Sequence, residues 1–152
     1  TYSTIVFALL LAAGIGSAIS GKVGISPQRR WALPFVGIFV FSILILFIYQ
    51  PYFELFLQSS TLVRIVAASA LVFPLGIFLG MPFPLGILTI VKQPQGSIAW
   101  AWAMNGLFTV IGGLGSVLLS IFYGFQLTII TAIVFYIVAF FTYSRLRVAV
   151  VS

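Results

Sequence analysis

The chain has 152 residues, of which 62% are hydrophobic and 5% are charged, and its mean hydropathy is +1.29. It contains one acidic residue, no histidine and no cysteine, so it lacks most of the side chains that acid–base catalysis, metal binding and haem ligation use. We therefore expect no catalytic residue, no metal site and no cofactor, in an integral membrane domain whose solvent is lipid.

Five predominantly apolar stretches are long enough to cross a bilayer, four of them uncharged and one containing Arg64 near its start. A membrane-spanning helix needs about 20 predominantly apolar residues, and helices are required because an open strand edge in hydrocarbon would leave backbone groups unpaired. Basic residues, prolines and polar loops delimit the predicted spans at residues 2–20, 31–49, 62–80, 98–122 and 126–143. The sequence therefore predicts an all-α polytopic helix bundle with about five transmembrane helices, in one domain covering residues 1–152.

Small residues recur with a spacing that lets two helix backbones approach each other. Pairs four positions apart lie on the first, third and fourth predicted spans: Ala13 and Ser17, Gly14 and Ala18, Ser17 and Gly21, Gly76 and Gly80, and Gly112 and Ser116. We predict that these three helices contact one another through these residues. The alternative is that the small residues form the sliding surfaces of a transporter.

A double proline follows the third predicted span. Pro82 and Pro84 each lack a backbone N–H and interrupt regular helix hydrogen bonding. The apolar segment 85–91 that follows is too short to cross a bilayer, so we predict a half-helix that is either interfacial or re-entrant. The alternative is an ordinary kinked end of the third helix.

Asn105 is the most polar side chain predicted to lie inside the hydrocarbon. An amide in a membrane needs a hydrogen-bond partner, and a carbonyl freed opposite Pro82 or Pro84 would supply one. We predict a structural clip between the third and fourth helices; the alternative is that Asn105 is a substrate ligand. The residues of this candidate structural or transport site are Gly80, Pro82, Pro84, Trp102 and Asn105.

The basic residues predict the orientation of the chain. Six of the seven fall on one predicted side of the membrane: Lys22, Arg29, Arg30, Lys92, Arg145 and Arg147. The positive-inside rule makes that side cytoplasmic and places the N-terminus outside. The residues expected to contact anionic lipid head groups are Arg29, Arg30, Arg145 and Arg147. This topology accounts for the net charge of +6, so we expect no nucleic-acid partner.

An outward N-terminus that begins with Thr1 rather than Met predicts that at least one further span precedes it. We expect the membrane to be a bacterial or archaeal inner membrane.

Several motifs in the second half of the chain occur in a fixed order. They are Gly80-Met81-Pro82-Phe83-Pro84-Leu85-Gly86, Ala101-Trp102-Ala103-Met104-Asn105-Gly106, the run from Gly112 to Ser116, and Tyr123-Gly124-Phe125. Over roughly residues 62–147 the chain resembles the C-terminal membrane region of membrane-bound spermidine-synthase-like proteins, the fused major-facilitator/spermidine-synthase family. The resemblance implies that aminopropyl transfer belongs to a soluble domain with acidic residues, whereas this chain has only Glu54. It therefore implies a membrane module that works with a soluble domain or with other subunits.

Two functions follow as hypotheses. The first is a non-catalytic membrane subunit or domain that anchors or scaffolds a partner within a larger complex, in contact with membrane lipids. The alternative is part of a transporter for a small, polyamine-like molecule, with a pathway near residues 80–86 and Asn105. Broken helices beside polar groups are typical of transporter sites, but five spans would require a second chain.

Overall fold

The computed structural model describes residues 2–22, 31–91 and 96–151, with side chains for 3–22, 31–91 and 96–145. Within these ranges the helices are α1 (Tyr2–Ser20), α2 (Ala32–Phe56), α3 (Thr61–Leu79), α4 (Pro82–Ile90) and α5 (Gly96–Val151). The described residues contain no strand, and the prediction of an all-α fold is confirmed.

Four helical stretches among the described residues are long and apolar enough to cross a membrane: Ser3–Ser20, Ala32–Phe56, Thr61–Ile90 and Gly96–Arg145. The third joins α3 and α4, and the fourth is 50 residues long. Such lengths and compositions are those of an integral membrane protein.

The end of α2 differs from its prediction. We expected the helix to end before Pro51, but it continues to Phe56 with Pro51 inside it. A proline in a helix removes one hydrogen bond and strains the preceding turn, and contacts beyond it offset that cost. The hydroxyl of Tyr52 donates a hydrogen bond to the Ala67 carbonyl of α3 at 3.1 Å, and the Tyr52 and Phe56 rings lie 5.2 Å apart.

Gly124 divides α5 into two halves, residues 96–123 and 125–151. Its φ of 84° and ψ of 168° lie in a region that essentially only glycine occupies. The Ser120 and Thr128 hydroxyl oxygens are 3.0 Å apart, whereas eight residues of straight helix would separate them by about 12 Å. The chain therefore turns sharply at the point where the sequence predicts a separation between two spans.

The chain forms two compact units, Thr1–Leu85 and Gly86–Ser152. In the first unit, α3 packs against both α1 and α2. All the buried hydrophobic side chains of the described residues belong to this unit: Ala12, Phe35, Ile38, Ile45, Ala67, Ala68, Met81 and Leu85. In the second unit, side chains such as Leu119 and Tyr136 are half-buried, and none from 96 to 145 is buried.

Candidate functional site: a close helix crossing and an exposed helix face

The backbones of α1 and α3 contact each other directly at two glycines. A Cβ added at Gly16 would overlap the carbonyl oxygen of Ile77, and one added at Gly80 would overlap the carbonyl of Ala13. Each glycine therefore directs a hydrogen on its Cα toward a carbonyl of the other helix, a weak contact that recurs at helix interfaces. Only a residue without a side chain permits this approach.

Gly76 extends the crossing by one turn. An added Cβ there would lie 2.8 Å from the Cβ of Ala12 and 3.0 Å from the Leu9 carbonyl oxygen, and Ala12 is fully buried. The structure thus places Ala13, Gly76 and Gly80 in the α1–α3 crossing.

Gly14 and Ser17, predicted to pack on the same stripe, lie outside this crossing. Both are exposed, and a Cβ added at Gly14 would have no atom within 4 Å. The helix turns Ala12 and Gly16 toward α3 instead, and these two residues are also four positions apart. Small residues occupy several faces of α1, so the spacing alone does not select the face that packs against α3, and helix packing at Gly14 and Ser17 stays a prediction.

The double proline begins a helix rather than disrupting one. Pro82 and Pro84 are the first and third residues of α4, positions where a backbone N–H has no partner within the helix. The N–H of Leu85 makes the first helical bond, to the Met81 carbonyl at 3.3 Å. The half-helix is therefore Pro82–Ile90, beginning before the predicted residue 85, and its placement in the membrane stays a prediction.

The segment between α3 and α4 is closely packed. Gly80 donates its N–H to the Gly76 carbonyl at 3.1 Å, and Met81 donates to Phe78 at 3.3 Å. The Met81 side chain is 3% exposed, and α1 leaves no space for one methyl group at Gly80. Within the first unit, the segment between α3 and α4 therefore has no open space beside Gly80.

Contacts between α2 and α3 were not predicted from the sequence. A Cβ added at Gly37 would overlap the Phe78 ring, and the Phe41 and Phe78 rings stack with centroids 5.6 Å apart. The chain has 16 phenylalanines and neither residue belongs to a spacing pattern, so no sequence signal selects this pair.

An open apolar groove of about 340 Å³ lies between the end of α2 and the start of α3. Its lining residues are Tyr52, Phe56, Leu62, Val63, Val66, Ala67 and Ala70. The only polar side-chain atom in this set, the Tyr52 hydroxyl, is bonded to the Ala67 carbonyl. The groove therefore offers apolar contact and no charged group.

One face of the first half of α5 carries small and polar residues. At 3.6 residues per turn, its members fall within an arc of about 100°. We call it the Asn105 face; its residues are Asn105, Thr109, Gly112, Gly113 and Ser116, and all are exposed. The opposite side of the same helix is bulky and apolar, with Leu107, Val110, Leu114, Leu118 and Ile121.

The hydroxyls of the Asn105 face are satisfied within the helix. Thr109 donates to the Asn105 carbonyl at 2.7 Å, and Ser116 donates to the Gly113 carbonyl at 2.9 Å. Within the second unit, the side-chain amide of Asn105 has no hydrogen-bond partner among the described residues. The clip predicted between Asn105 and a carbonyl beside Pro82 or Pro84 stays a prediction.

Other predicted site residues lie at exposed positions. Trp102, one turn before the Asn105 face, is 60% exposed. Gly112 and Ser116, predicted to pack against another helix, are exposed, and a Cβ at Gly112 would have no atom within 4 Å.

The predicted lipid head-group contacts fall partly within the described residues. Arg145 is exposed near the end of the described side chains. The side chain of Arg147, and Arg29 and Arg30, lie outside the described part of the chain. Contact of these four residues with lipid stays a prediction.

No protein-family model, curated protein sequence or solved structure matches this chain. The resemblance to spermidine-synthase-like membrane regions therefore stays a prediction.

Proposed function

We propose that this chain is a non-catalytic membrane subunit or domain that scaffolds a partner. In this proposal the first unit is a self-contained anchor, and the Asn105 face of α5 docks against another transmembrane segment. The observation that carries the proposal is the difference in burial: the first unit has a packed core, whereas residues 96–145 of the second unit contain no buried residue.

Lipid alone does not satisfy the hydrogen-bonding groups of the Asn105 face. Acyl chains cannot hydrogen-bond an amide, so Asn105 gains stability from a protein partner. Gly112 and Gly113 expose backbone that a second helix could approach closely, as α1 and α3 do at Gly16 and Gly80. This face therefore combines a group that needs a partner with a surface that admits one.

The transport alternative has less support. A pathway for a polyamine-like cation needs acidic side chains along it, and the chain's single acid is Glu54. Gly80, at the break beside which such a pathway was predicted, packs against Ala13 of α1, and Met81 is buried. A spermidine-synthase-like soluble partner remains part of the proposal, on the strength of the sequence motifs alone.

The test is the mass of the assembly formed by the full chain, purified from membranes in a mild detergent. Gly112→Leu places a bulky side chain on the Asn105 face, and we expect it to reduce the assembled fraction strongly. Leucine is a better helix former than glycine, so such a loss would not come from a weaker helix.

The control is Leu114→Phe, which enlarges a side chain on the opposite side of the same helix by a smaller volume and should leave the assembly unchanged. A Gly112→Leu chain that assembles like the unmodified chain would contradict the proposal.

A further inference from the structure

We propose that the hydroxyl groups of Ser120 and Thr128 form a latch that holds the two halves of α5 together across the turn at Gly124. The two oxygens lie 3.0 Å apart, although one precedes that glycine by a helical turn and the other follows it by a turn. The inference is independent of the proposed function, because it concerns a contact within α5 and not the partner of the Asn105 face.

Ser120 differs from other hydroxyl-bearing residues of α5 in its hydrogen-bond partner. A serine or threonine inside a helix commonly bonds a carbonyl three or four residues earlier. Five residues of α5 do so: Thr109, Ser116, Thr131, Thr142 and Ser144. The Ser120 hydroxyl instead contacts a side chain of the other half. This contact therefore joins two stretches of helix that the hydroxyls of those five residues leave unconnected.

The hydrogen bonds around the turn run in one direction. A hydroxyl group carries a single proton and two acceptor lone pairs. Thr128 donates its proton to the Gly124 carbonyl at 3.1 Å, which makes Ser120 the donor to the Thr128 oxygen. The resulting chain of bonds, from Ser120 through Thr128 to Gly124, connects the end of the first half, the start of the second half and the turn itself.

Packing at Gly124 does not hold the turn closed. A Cβ added there would have no atom within 4 Å, so the side of the turn to which a Cβ would point is open. Ser120 and Thr128, in contrast, are both half-buried. Further half-buried positions continue from Thr128 along one face of the second half: Ile129, Ile133, Tyr136 and Phe140. The latch thus lies where the covered face of the second half begins.

A membrane favours the closed latch. Acyl chains supply no hydrogen-bond partner for a hydroxyl that an opening of the turn would release. With the halves apart, Ser120 would have only the backbone of its own helix to bond. Because Gly124 supplies the backbone conformation of the turn and the hydroxyl pair supplies the bond across it, we assign the two features separate roles.

The test measures the distance between spin labels at Leu114→Cys and Val134→Cys in the full chain, which has no native cysteine. Both positions are exposed, and they lie on opposite sides of Gly124 in the sequence. Sodium dodecyl sulfate, titrated into mixed micelles, should separate the halves and lengthen this distance, which gives an equilibrium constant for separation. From the average strength of hydrogen bonds between membrane helices, we expect Ser120→Ala to raise this constant about threefold.

The matched control for Ser120→Ala is Ser144→Ala, the same substitution at a hydroxyl that donates within its own half. Thr131→Val is the control for Thr128→Val, because Thr131 also donates within its own half. We expect both controls to leave the constant unchanged. No increase for Ser120→Ala, or an equal increase for Ser144→Ala, would overturn the proposal.

A double-variant cycle tests the pairing itself. Thr128→Val should raise the constant about threefold or more, because it removes both the acceptor for Ser120 and the bond to Gly124. Adding Ser120→Ala to Thr128→Val should then change the constant little, since the partner of Ser120 is already gone. Thr128→Ser keeps the hydroxyl and should retain most of the latch. Fully additive effects of Ser120→Ala and Thr128→Val would show that the two hydroxyls act separately and would also overturn the proposal.

Discussion

The two units of this chain have similar apolar composition but differ in how their glycines are packed. In the first unit, Gly16, Gly37, Gly76 and Gly80 each lie against a neighbouring helix, so that an added Cβ would meet another atom. In the second unit, Gly106, Gly112 and Gly113 have open space around them.

The difference shows that apolar composition does not decide which surfaces pack in a membrane. Lipid tails are as apolar as leucine, so helix association depends on close approach and on hydrogen bonds. The first unit meets these conditions between its own helices. The second unit presents the same kind of surface on α5 without covering it, which is why we assign that surface to a partner.

The largest expected effect concerns the crossing in the first unit. Gly80→Ala places a methyl group on the Ala13 carbonyl, and overpacking of this kind costs roughly 1–3 kcal/mol of unfolding free energy. The control is Gly14→Ala, where the added Cβ has no neighbour within 4 Å. Because alanine is the better helix former, this control should be neutral or slightly stabilising. The free energy of unfolding of both variants is measured by reversible unfolding in mixed micelles. Equal values for Gly80→Ala and Gly14→Ala would show that the α1–α3 crossing is not closely packed at Gly80.

A smaller and different effect is expected at Gly124. Gly124→Ala meets no steric neighbour, but the φ of 84° is unfavourable for any residue with a Cβ. We expect a cost of about 1–2 kcal/mol or a straightened α5 that separates Ser120 from Thr128. Spin labels placed on the two halves would report the change as a longer distance between them.

Gly106→Ala in the same helix provides the control for Gly124→Ala. Gly106 has a helical backbone and open space for a Cβ, so its substitution should leave the distance between the labels unchanged. A Gly124→Ala chain with that same unchanged distance and full stability would show that the turn does not depend on glycine.

Much of the fold followed from the sequence because hydropathy and proline positions are strong signals in membrane chains. The ends of α1 and α3, the new helix near Pro82 and the turn at Gly124 all lie within a few residues of their predictions. The end of α2 did not, because its predicted end relied on Pro51 alone. The free-energy cost of the one hydrogen bond that Pro51 removes is offset when the next turn gains contacts such as the Tyr52 hydrogen bond to Ala67.

The candidate site was harder to predict, for a geometric reason. Four-residue spacing marks a stripe on a helix, but α1 has several such stripes, and the structure uses Ala12 and Gly16 rather than Gly14 and Ser17. Asn105 was identified from its residue type, and Gly112 from its four-residue spacing to Ser116. Their position on one open face depends on which side of α5 the rest of the unit leaves uncovered, and no spacing pattern contains that information.

The central claim is that the Asn105 face of α5 is covered by protein in the membrane while the opposite side faces lipid. The most direct test is the labelling of a single cysteine, at Ser116→Cys and at Leu114→Cys in turn, by an apolar carbene-generating photolabel dissolved in the bilayer of liposomes that contain the full chain. We predict that the cysteine of Leu114→Cys is readily accessible to the photolabel and that the cysteine of Ser116→Cys, which adds almost no volume to the Asn105 face, is strongly protected. Equal accessibility at the two positions would contradict the claim.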